Sequence, residues 1–433
     1  MIISYTKIKK QKRGEITMLL EYRCSNYKSI KDEVLFSMSA SSDTEHSDKL
    51  IDFKKLKINK ATAIYGANGS GKSSLLESCL FLTSLVSNKP SQPGDKILVI
   101  PHALSAIDDP TEFLIHFERK GIRYVYGISV TEDRVEKEFL YHFKVGRKAK
   151  IFDRVGEEYT FGAKYKSDLN KALSFQKENR VFLNTAANFT NNEDITNAFL
   201  FFKEDLVVNS PSFMNNWREY SFNMINKNPE FKKKVVTAFN NLGIDIKDIK
   251  TESFNIPLHD ELVENIPADI KEIIKSSMGE EKTLYLKKVL FDYGIFSVDI
   301  DRESTGIKRL FEVLCPLIDI IENDRVLLWD EIEMGLHSSI LDTLIKIFLN
   351  EKDSKAQLIF TTHDISLLNL DNLRRDQIWF TELDKEERKT DLYSLFDFKN
   401  IRKTDNISKN YIEGRYGAIP FIKTNLQSIQ EEV

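Results

Sequence analysis

The segment that most constrains the fold of this chain is residues 66–73, which reads GANGSGKS. It matches the phosphate-binding loop G-x-x-x-x-G-K-[ST]. An apolar run at residues 61–65 is typical of a buried strand, and residues 74–86 have the pattern of a helix. A strand, a glycine-rich loop and a helix in this order form the setting in which the motif binds phosphate. The alternative is a glycine-rich turn that binds no ligand.

The chemistry expected of this loop follows from its residue types. Glycine lets backbone N–H groups close around phosphate oxygens, and the helix N-terminus adds positive charge. Lys72 is expected to reach the β- and γ-phosphates, and Ser73 to ligate Mg²⁺. The candidate ATP-binding residues here are Gly66, Ala67, Asn68, Gly69, Ser70, Gly71, Lys72, Ser73 and Ser74.

A second motif, RVLLWDEIE, is an apolar strand that ends in adjacent carboxylates. Two carboxylates side by side are costly unless a cation or water accepts them. Asp330 is therefore the candidate metal ligand, and Glu331 the candidate base that orients and deprotonates the attacking water. A surface acidic turn is the alternative for this pair.

Two further segments supply candidate phosphate contacts. QLIFTTHD is a buried strand followed by His363, which could bind the γ-phosphate and the attacking water, although a lone histidine is more often structural. Ser304 and Gly306 lie at a predicted helix start, where a hydroxyl and a bare backbone suit a phosphate. On its own, Ser304 is also a good helix N-cap. Because the loop already occupies one side of a nucleotide, contact from another subunit is expected there.

The turn NYKSI, residues 26–30, is a candidate for contact with the base, ribose or α-phosphate through Tyr27 or Lys28. A plain β-turn is the alternative. Gln92 is a weak candidate for a glutamine loop.

Composition limits the function classes. The net charge of −4 and pI of about 6.1 argue against strong nonspecific binding to duplex DNA, although a local basic patch is compatible with these values. The three cysteines form no C-x-x-C pair, which excludes a cysteine zinc site of that type and fits a reducing cytoplasm. No apolar run has the length of a membrane-spanning helix. We therefore expect a cytoplasmic protein with no membrane contact.

The pattern along the chain predicts five segments. Residues 1–17 are basic and are predicted to be a disordered or spurious extension, with Met18 as the functional start. Residues 18–150 are predicted to be an ATPase lobe with the loop and an antiparallel sheet. Residues 151–288 are predicted to be a mostly helical insertion, since their apolar residues have helical spacing. Residues 289–400 alternate strands and helices, which predicts a mainly parallel sheet. Residues 401–433 form a C-terminal segment.

In their order, these motifs resemble the ATP-binding-cassette ATPase heads of the RecF and structural-maintenance-of-chromosomes superclass. GANGSGKS resembles Walker A, ESTG the signature motif, LLWDEIE Walker B and TTHD the switch-histidine loop. The chain is more similar still to the abortive-infection and overcoming-lysogenization-defect (OLD-like) ATPases, which share NYKSI, the short S-x-G signature and YIEGRYGAIP near the C-terminus.

The resemblance implies an α/β P-loop NTPase of the ABC-head type that hydrolyses ATP with Mg²⁺. It implies a head-to-head homodimer in which each ATP touches Lys72 of one subunit and Ser304 of the other. It also implies a role in anti-phage defence beside a separate effector, such as a Toprim-type nuclease. The alternatives are a RecF-like ATPase that binds DNA, and a nucleotide-gated scaffold that scarcely hydrolyses ATP. The acidic pI and the lack of a sustained heptad run weaken the DNA-binding alternative.

Overall fold

The computed structural model describes residues 16–88, 92, 94–106, 108–144, 146–211, 217–257, 283–402 and 404–420. Most of the predicted extension, residues 258–282 of the predicted helical insertion and the end of the C-terminal segment lie outside these residues. Thr17 is already the first residue of a strand and is buried, so the ordered fold begins before Met18.

The described strands, in chain order, are β1 (Thr17–Ser25), β2 (Val34–Ser37), β3 (Leu50–Phe53), β4 (Leu56–Asn59), β5 (Ala61–Gly66), β6 (Thr111–Arg119), β7 (Ile122–Val130), β8 (Val135–Phe143), β9 (Ala149–Val155), β10 (Glu158–Phe161), β11 (Leu206–Asn209), β12 (Asp248–Pro257), β13 (Thr283–Asp292), β14 (Ser297–Asp299), β15 (Val326–Trp329), β16 (Gln357–Thr361), β17 (Ile378–Leu383) and β18 (Thr390–Ser394). The described α-helices are α1 (Lys72–Ser87), α2 (Lys166–Leu173), α3 (Phe182–Phe189), α4 (Glu193–Leu200), α5 (Trp217–Lys227), α6 (Pro229–Asn241), α7 (Thr305–Glu322), α8 (Ser338–Asn350) and α9 (Ile407–Ile412). Among them, no helix is both long and apolar enough to cross a membrane.

The chain forms two compact units. The larger unit comprises Met1–Asn215, Ile320–Met334 and Leu344–Val433, and the smaller comprises Asn216–Asp319 and Gly335–Thr343. The predicted boundaries at 150/151 and 288/289 fall inside β9 and β13, where backbone hydrogen bonds to neighbouring strands run across them.

A six-stranded sheet in the order β11-β15-β16-β5-β17-β18 is the centre of the larger unit. All neighbouring strands are parallel except β18, which runs antiparallel to β17. β5, β15 and β16 are buried along their whole length, as expected for parallel strands covered on both faces. The predicted mainly parallel sheet is confirmed. Its carboxyl edge gathers the ends of β5, β15 and β16.

The larger unit also contains a seven-stranded antiparallel sheet in the order β10-β9-β8-β7-β6-β1-β2 and a two-stranded sheet of β3 and β4. The alternating burial of β6 and β8 places one face in the core and the other nearer solvent. The core cluster joins this face to α1 and to the central sheet. The predicted antiparallel sheet is confirmed, so the α/β fold class holds for the described residues.

The stretch predicted as a mostly helical insertion contains α2 to α6, but also strands. Among these, β11 is part of the central sheet, where it pairs with β15. It is only four residues long, too short for its periodicity to separate a strand from a helical turn.

The smaller unit contains the sheet β12-β13-β14. Its core includes Phe291, whose ring lies 5.3 Å from that of Phe239 and 5.8 Å from that of Phe311. All three rings are buried. Helices α6 and α7 are therefore anchored to one face of this sheet.

Candidate nucleotide-binding site

The predicted phosphate loop connects β5 to α1 and is packed tightly against the hairpin of β17 and β18. A Cβ atom on Gly66 would overlap Thr381, and one on Gly71 would overlap Thr390. Gly71 also has a φ of 104°, which side-chain-bearing residues rarely adopt. Ser70 is fixed to the same hairpin by a 2.6 Å hydrogen bond between its hydroxyl and that of Thr381. Gly66 and Gly71 are thus required by close packing against this hairpin.

Lys72 lies inside the turn of the loop. Its ammonium group donates hydrogen bonds to the carbonyl oxygens of Gly66, at 2.8 Å, and Ala67, at 3.1 Å. Burial lowers the pKa of Lys72 to about 8, and the negative charges of Asp330, Glu333 and Glu331 partly offset this effect. The loop therefore holds a buried cation that two backbone carbonyls bind and nearby carboxylates stabilise.

Asp330 follows β15 and joins the loop to the carboxyl edge of the sheet. Its Oδ1 accepts hydrogen bonds from the hydroxyls of Ser73, at 3.2 Å, and Thr361, at 2.6 Å. Its Oδ2 lies 3.5 Å from the hydroxyl of Ser210, at the end of β11. Three neighbouring strand ends and the start of α1 thus meet at this carboxylate.

The Ser73 hydroxyl and the Asp330 carboxylate are oxygen donors of the kind that Mg²⁺ prefers. Among the described residues, no group of three or more His, Cys, Asp or Glu side chains could hold a metal alone. Mg²⁺ usually binds through one or two carboxylates together with substrate phosphates and water, so this donor pair fits it.

Glu331 has a left-handed backbone, with a φ of 51°. For a residue with a side chain this conformation costs roughly 1–2 kcal/mol. Its N–H donates to the Thr361 hydroxyl at 2.8 Å, which holds the turn against β16.

His363 is exposed, two residues after β16. Its backbone N–H donates to Oε1 of Glu333 at 2.7 Å. Although the residue is exposed, partial desolvation of its imidazole and the positive charge of Lys72 lower the pKa of His363, against the opposing effect of Glu333 and other carboxylates. The imidazole is therefore mainly neutral at pH 7 and can donate or accept a hydrogen bond.

Sequence reasoning missed three polar residues of this site. Thr361 bridges Asp330 and Glu331, Ser210 approaches Asp330, and Glu333 holds the His363 backbone. Glu333 could have been found, since it is the third carboxylate of DEIE. Thr361 is the first threonine of TTHD, but nothing near Ser210 in sequence marks it.

The NYKSI turn lies beside the first turns of α1. Ser29 donates a 2.9 Å hydrogen bond to Ser74 and accepts one of 2.8 Å from Thr390. Lys28 forms an ion pair with the largely buried Glu77 of α1. The structure thus brings the turn to the loop, with the charge of Lys28 already paired.

Ser304 and Gly306 lie at the start of α7, in the smaller unit, and both are exposed. The Ser304 hydroxyl accepts the N–H of Ile307 at 3.3 Å, which makes it an N-cap. Gln92 is exposed, and its backbone bonds to Asp95 and Asn179. The roles of these residues toward a nucleotide remain predictions.

The C-terminal motif YIEGRYGAIP packs on β17. The rings of Tyr411 and Tyr416 stack on Phe380 at 5.4 and 5.8 Å. The Tyr411 hydroxyl donates to the carbonyl of Ala418 at 2.9 Å, closing the motif on itself. Its aromatic residues therefore stabilise the hairpin that holds the phosphate loop.

Comparison with solved structures finds 116 similar chains, among them three SMC head domains. The "SmcHead bound to the C-winged helix domain of ScpA" has 14% sequence identity and a TM-score of 0.41, and the match covers 87% of this chain and 97% of that one. The "SMC head domain from Thermotoga maritima" has 13% identity and a TM-score of 0.39, with 87% of this chain and 98% of that one covered. The Smc head domain "bound to the C-terminal domain of ScpA derived from Pyrococcus furiosus" has 15% identity and a TM-score of 0.40, with 88% of this chain and 96% of that one covered. These superpositions are loose, and no curated protein matches the chain. The family assignment therefore rests on a sequence model.

That model is described as "AAA domain, putative AbiEii toxin, Type IV TA system" and matches residues 61–369, well over half of the chain. The match begins at β5 and includes the phosphate loop, the DEIE segment and His363. The chain belongs to this family of AAA-domain proteins.

Proposed function

We propose that this protein is a Mg²⁺-dependent ATPase that dimerises around ATP and controls a separate effector in anti-phage defence. One observation carries the ATPase part of the proposal. Lys72, Ser73, Asp330, Glu331 and His363 come from three separate chain segments and lie at one edge of the parallel sheet. Nucleotides bind at this edge in open α/β sheets.

Each residue has a role that follows from its position. Lys72, whose ammonium now rests on two loop carbonyls, would turn to the β- and γ-phosphates of bound ATP. Ser73 and Asp330 would hold Mg²⁺, which neutralises phosphate charge when it is bound. Glu331 would accept a proton from the attacking water. The neutral His363 would orient that water or contact the γ-phosphate.

The dimer part of the proposal gives Ser304 and Gly306 their role. Both are exposed at a helix N-terminus, a position suited to the γ-phosphate of a nucleotide held by another subunit. A Ser304→Arg subunit mixed with a Lys72→Ala subunit should form one intact composite site, although each variant alone has none.

We expect the mixture to regain up to about a quarter of the wild-type turnover, because half of random dimers are mixed and each has one complete site. Phosphate release by the mixture, compared with each variant alone, measures this. If tagged heterodimers form and release no phosphate, Ser304 does not act across the dimer.

The effector part of the proposal is supported by the family description, which names a putative toxin of a toxin–antitoxin system. Closure of the dimer around ATP would change the affinity for the effector, because the effector would make different contacts with the open and the closed dimer.

Cells that carry this gene together with its genomic neighbour should survive phage challenge, whereas cells that carry either gene alone should not. Full protection by this chain alone, with no co-purifying protein, would contradict effector control. Specific DNA binding would favour the DNA-maintenance alternative instead.

A further inference from the structure

A groove of about 760 Å³ lies in the larger unit between the free edge of the seven-stranded sheet and the free edge of the six-stranded sheet. One wall is β2, the last strand of the antiparallel sheet, and the other is β18, the last strand of the central sheet. Although both strands line the groove, they are not paired with each other. Unpaired strand edges present N–H and C=O groups that an added strand can use.

The charge of the groove has one sign. Among the residues that the structure describes, its lining includes five carboxylates and no lysine, arginine or histidine. The five are Asp32, Glu33, Asp376, Asp391 and Asp397. Asp32, Glu33 and Asp376 have ion-pair partners outside the lining, whereas Asp391 and Asp397 pair with no cation of the described residues. Both of these are exposed, and although Asp397 accepts the backbone N–H of Ser394 at 2.9 Å, the negative charge of both carboxylates faces a ligand without a cation beside it.

The position of Asp391 strengthens this conclusion. In the β17–β18 ladder Asp391 lies directly opposite Glu382, and both are exposed. Like charges in this arrangement destabilise a strand pair. A cation brought by a ligand would relieve the repulsion.

Apolar side chains complete the lining. Leu35 and Phe396 are partly exposed, and Trp379 and Tyr393 lie deeper. The Arg375 guanidinium lies 5.4 Å from the centre of the Phe396 ring, so this ring already takes part in one cation–π contact. Lysine and arginine bury their methylene stems on such surfaces and place their charges beside carboxylates or aromatic faces.

We propose that this groove binds an extended segment of a separate protein that carries lysine or arginine at alternate positions. The segment adds as a strand to β2 or β18 and directs its cations toward Asp391 and Asp397. Negative charge disfavours nucleic acids and other anions as occupants. The inference gives the proposed function a surface for its protein partner, but its test needs neither nucleotide nor the effector.

The probe is a fluorescent ten-residue peptide of alternating Lys and Val, and its binding to the full chain is followed by anisotropy at low salt. Wild type should bind it and should not bind the Glu–Val counterpart. The double variant Asp391→Asn/Asp397→Asn should bind it about five- to tenfold more weakly, with the difference reduced by salt. The matched control Glu132→Gln/Glu158→Gln, which removes two exposed carboxylates elsewhere, should bind like wild type.

A second variant keeps the test informative if the double variant is unstable. Asp391→Lys reverses one charge, and it should lose the Lys–Val peptide while gaining affinity for the Glu–Val peptide. ATP turnover should be unchanged in all these variants, which separates failure of this inference from failure of the ATPase proposal.

Three results would overturn the inference. One is equal affinity of wild type and both groove variants for the Lys–Val peptide. Another is a change in the mass of the protein in sedimentation when Asp391 is replaced, which would assign the groove to a second copy. The third is tighter peptide binding after removal of residues 1–15, which would assign it to the chain's own basic segment.

Discussion

Lys72→Ala should abolish ATP hydrolysis, with a loss of at least about a thousandfold in turnover. The ammonium group is the one basic side chain inside the loop, and its replacement leaves the transferred phosphoryl group without that charge. Phosphate release by the purified protein measures the effect. Lys57→Ala, which removes an exposed lysine of β4, is the control and should keep wild-type turnover. Undiminished turnover in Lys72→Ala would refute the assignment of the phosphate loop.

The lowered pKa of Lys72 adds a second test of the same residue. A lysine is charged below its pKa, so with a pKa of about 8 the free protein carries this charge at pH 7 and loses it as the pH rises. ATP affinity of the wild type should therefore fall about tenfold between pH 7 and pH 9. Titrations with Lys72→Ala should show no such fall. The same fall in both proteins would place its origin elsewhere.

Glu331→Gln should bind ATP and hydrolyse it about a hundred to ten thousand times more slowly, because an amide cannot accept the proton of the attacking water. Asp330 and Ser73 keep their places, so the nucleotide and its Mg²⁺ should still bind. Bound ATP should then accumulate and hold the closed dimer. Sedimentation with and without ATP, together with single-turnover hydrolysis, measures both effects.

The control for this variant is Glu158→Gln, an exposed carboxylate of β10, which should turn over ATP normally and show no lasting dimer. Normal turnover in Glu331→Gln would exclude Glu331 as the base. A variant that is slow but never changes its mass with ATP would retain the base and contradict the ATP-dependent dimer.

Local patterns were sufficient to predict much of this fold. The buried runs ATAIY, VLLW and QLIFT are strands because continuous apolar stretches of this length satisfy a sheet covered on both faces. α1 was also predicted, within two residues at its start and one at its end. The short strand β11 escaped because it has too few residues for a periodic signal and is stabilised by its pairing with β15.

For the site, the sequence by itself determined which chemical groups are present: a loop lysine and serine, adjacent carboxylates after a strand, and a histidine after the next. Only the tertiary structure decided how they are held. Thr361 joins Asp330 to Glu331, Glu333 holds the His363 backbone, Lys28 is paired with Glu77, and two unpaired strand edges meet at an acidic groove. The physical reason is the distance along the chain between the groups that interact. A motif records neighbours along the chain, whereas hydrogen bonds and pKa shifts depend on groups tens to hundreds of residues apart that the parallel sheet brings to one edge.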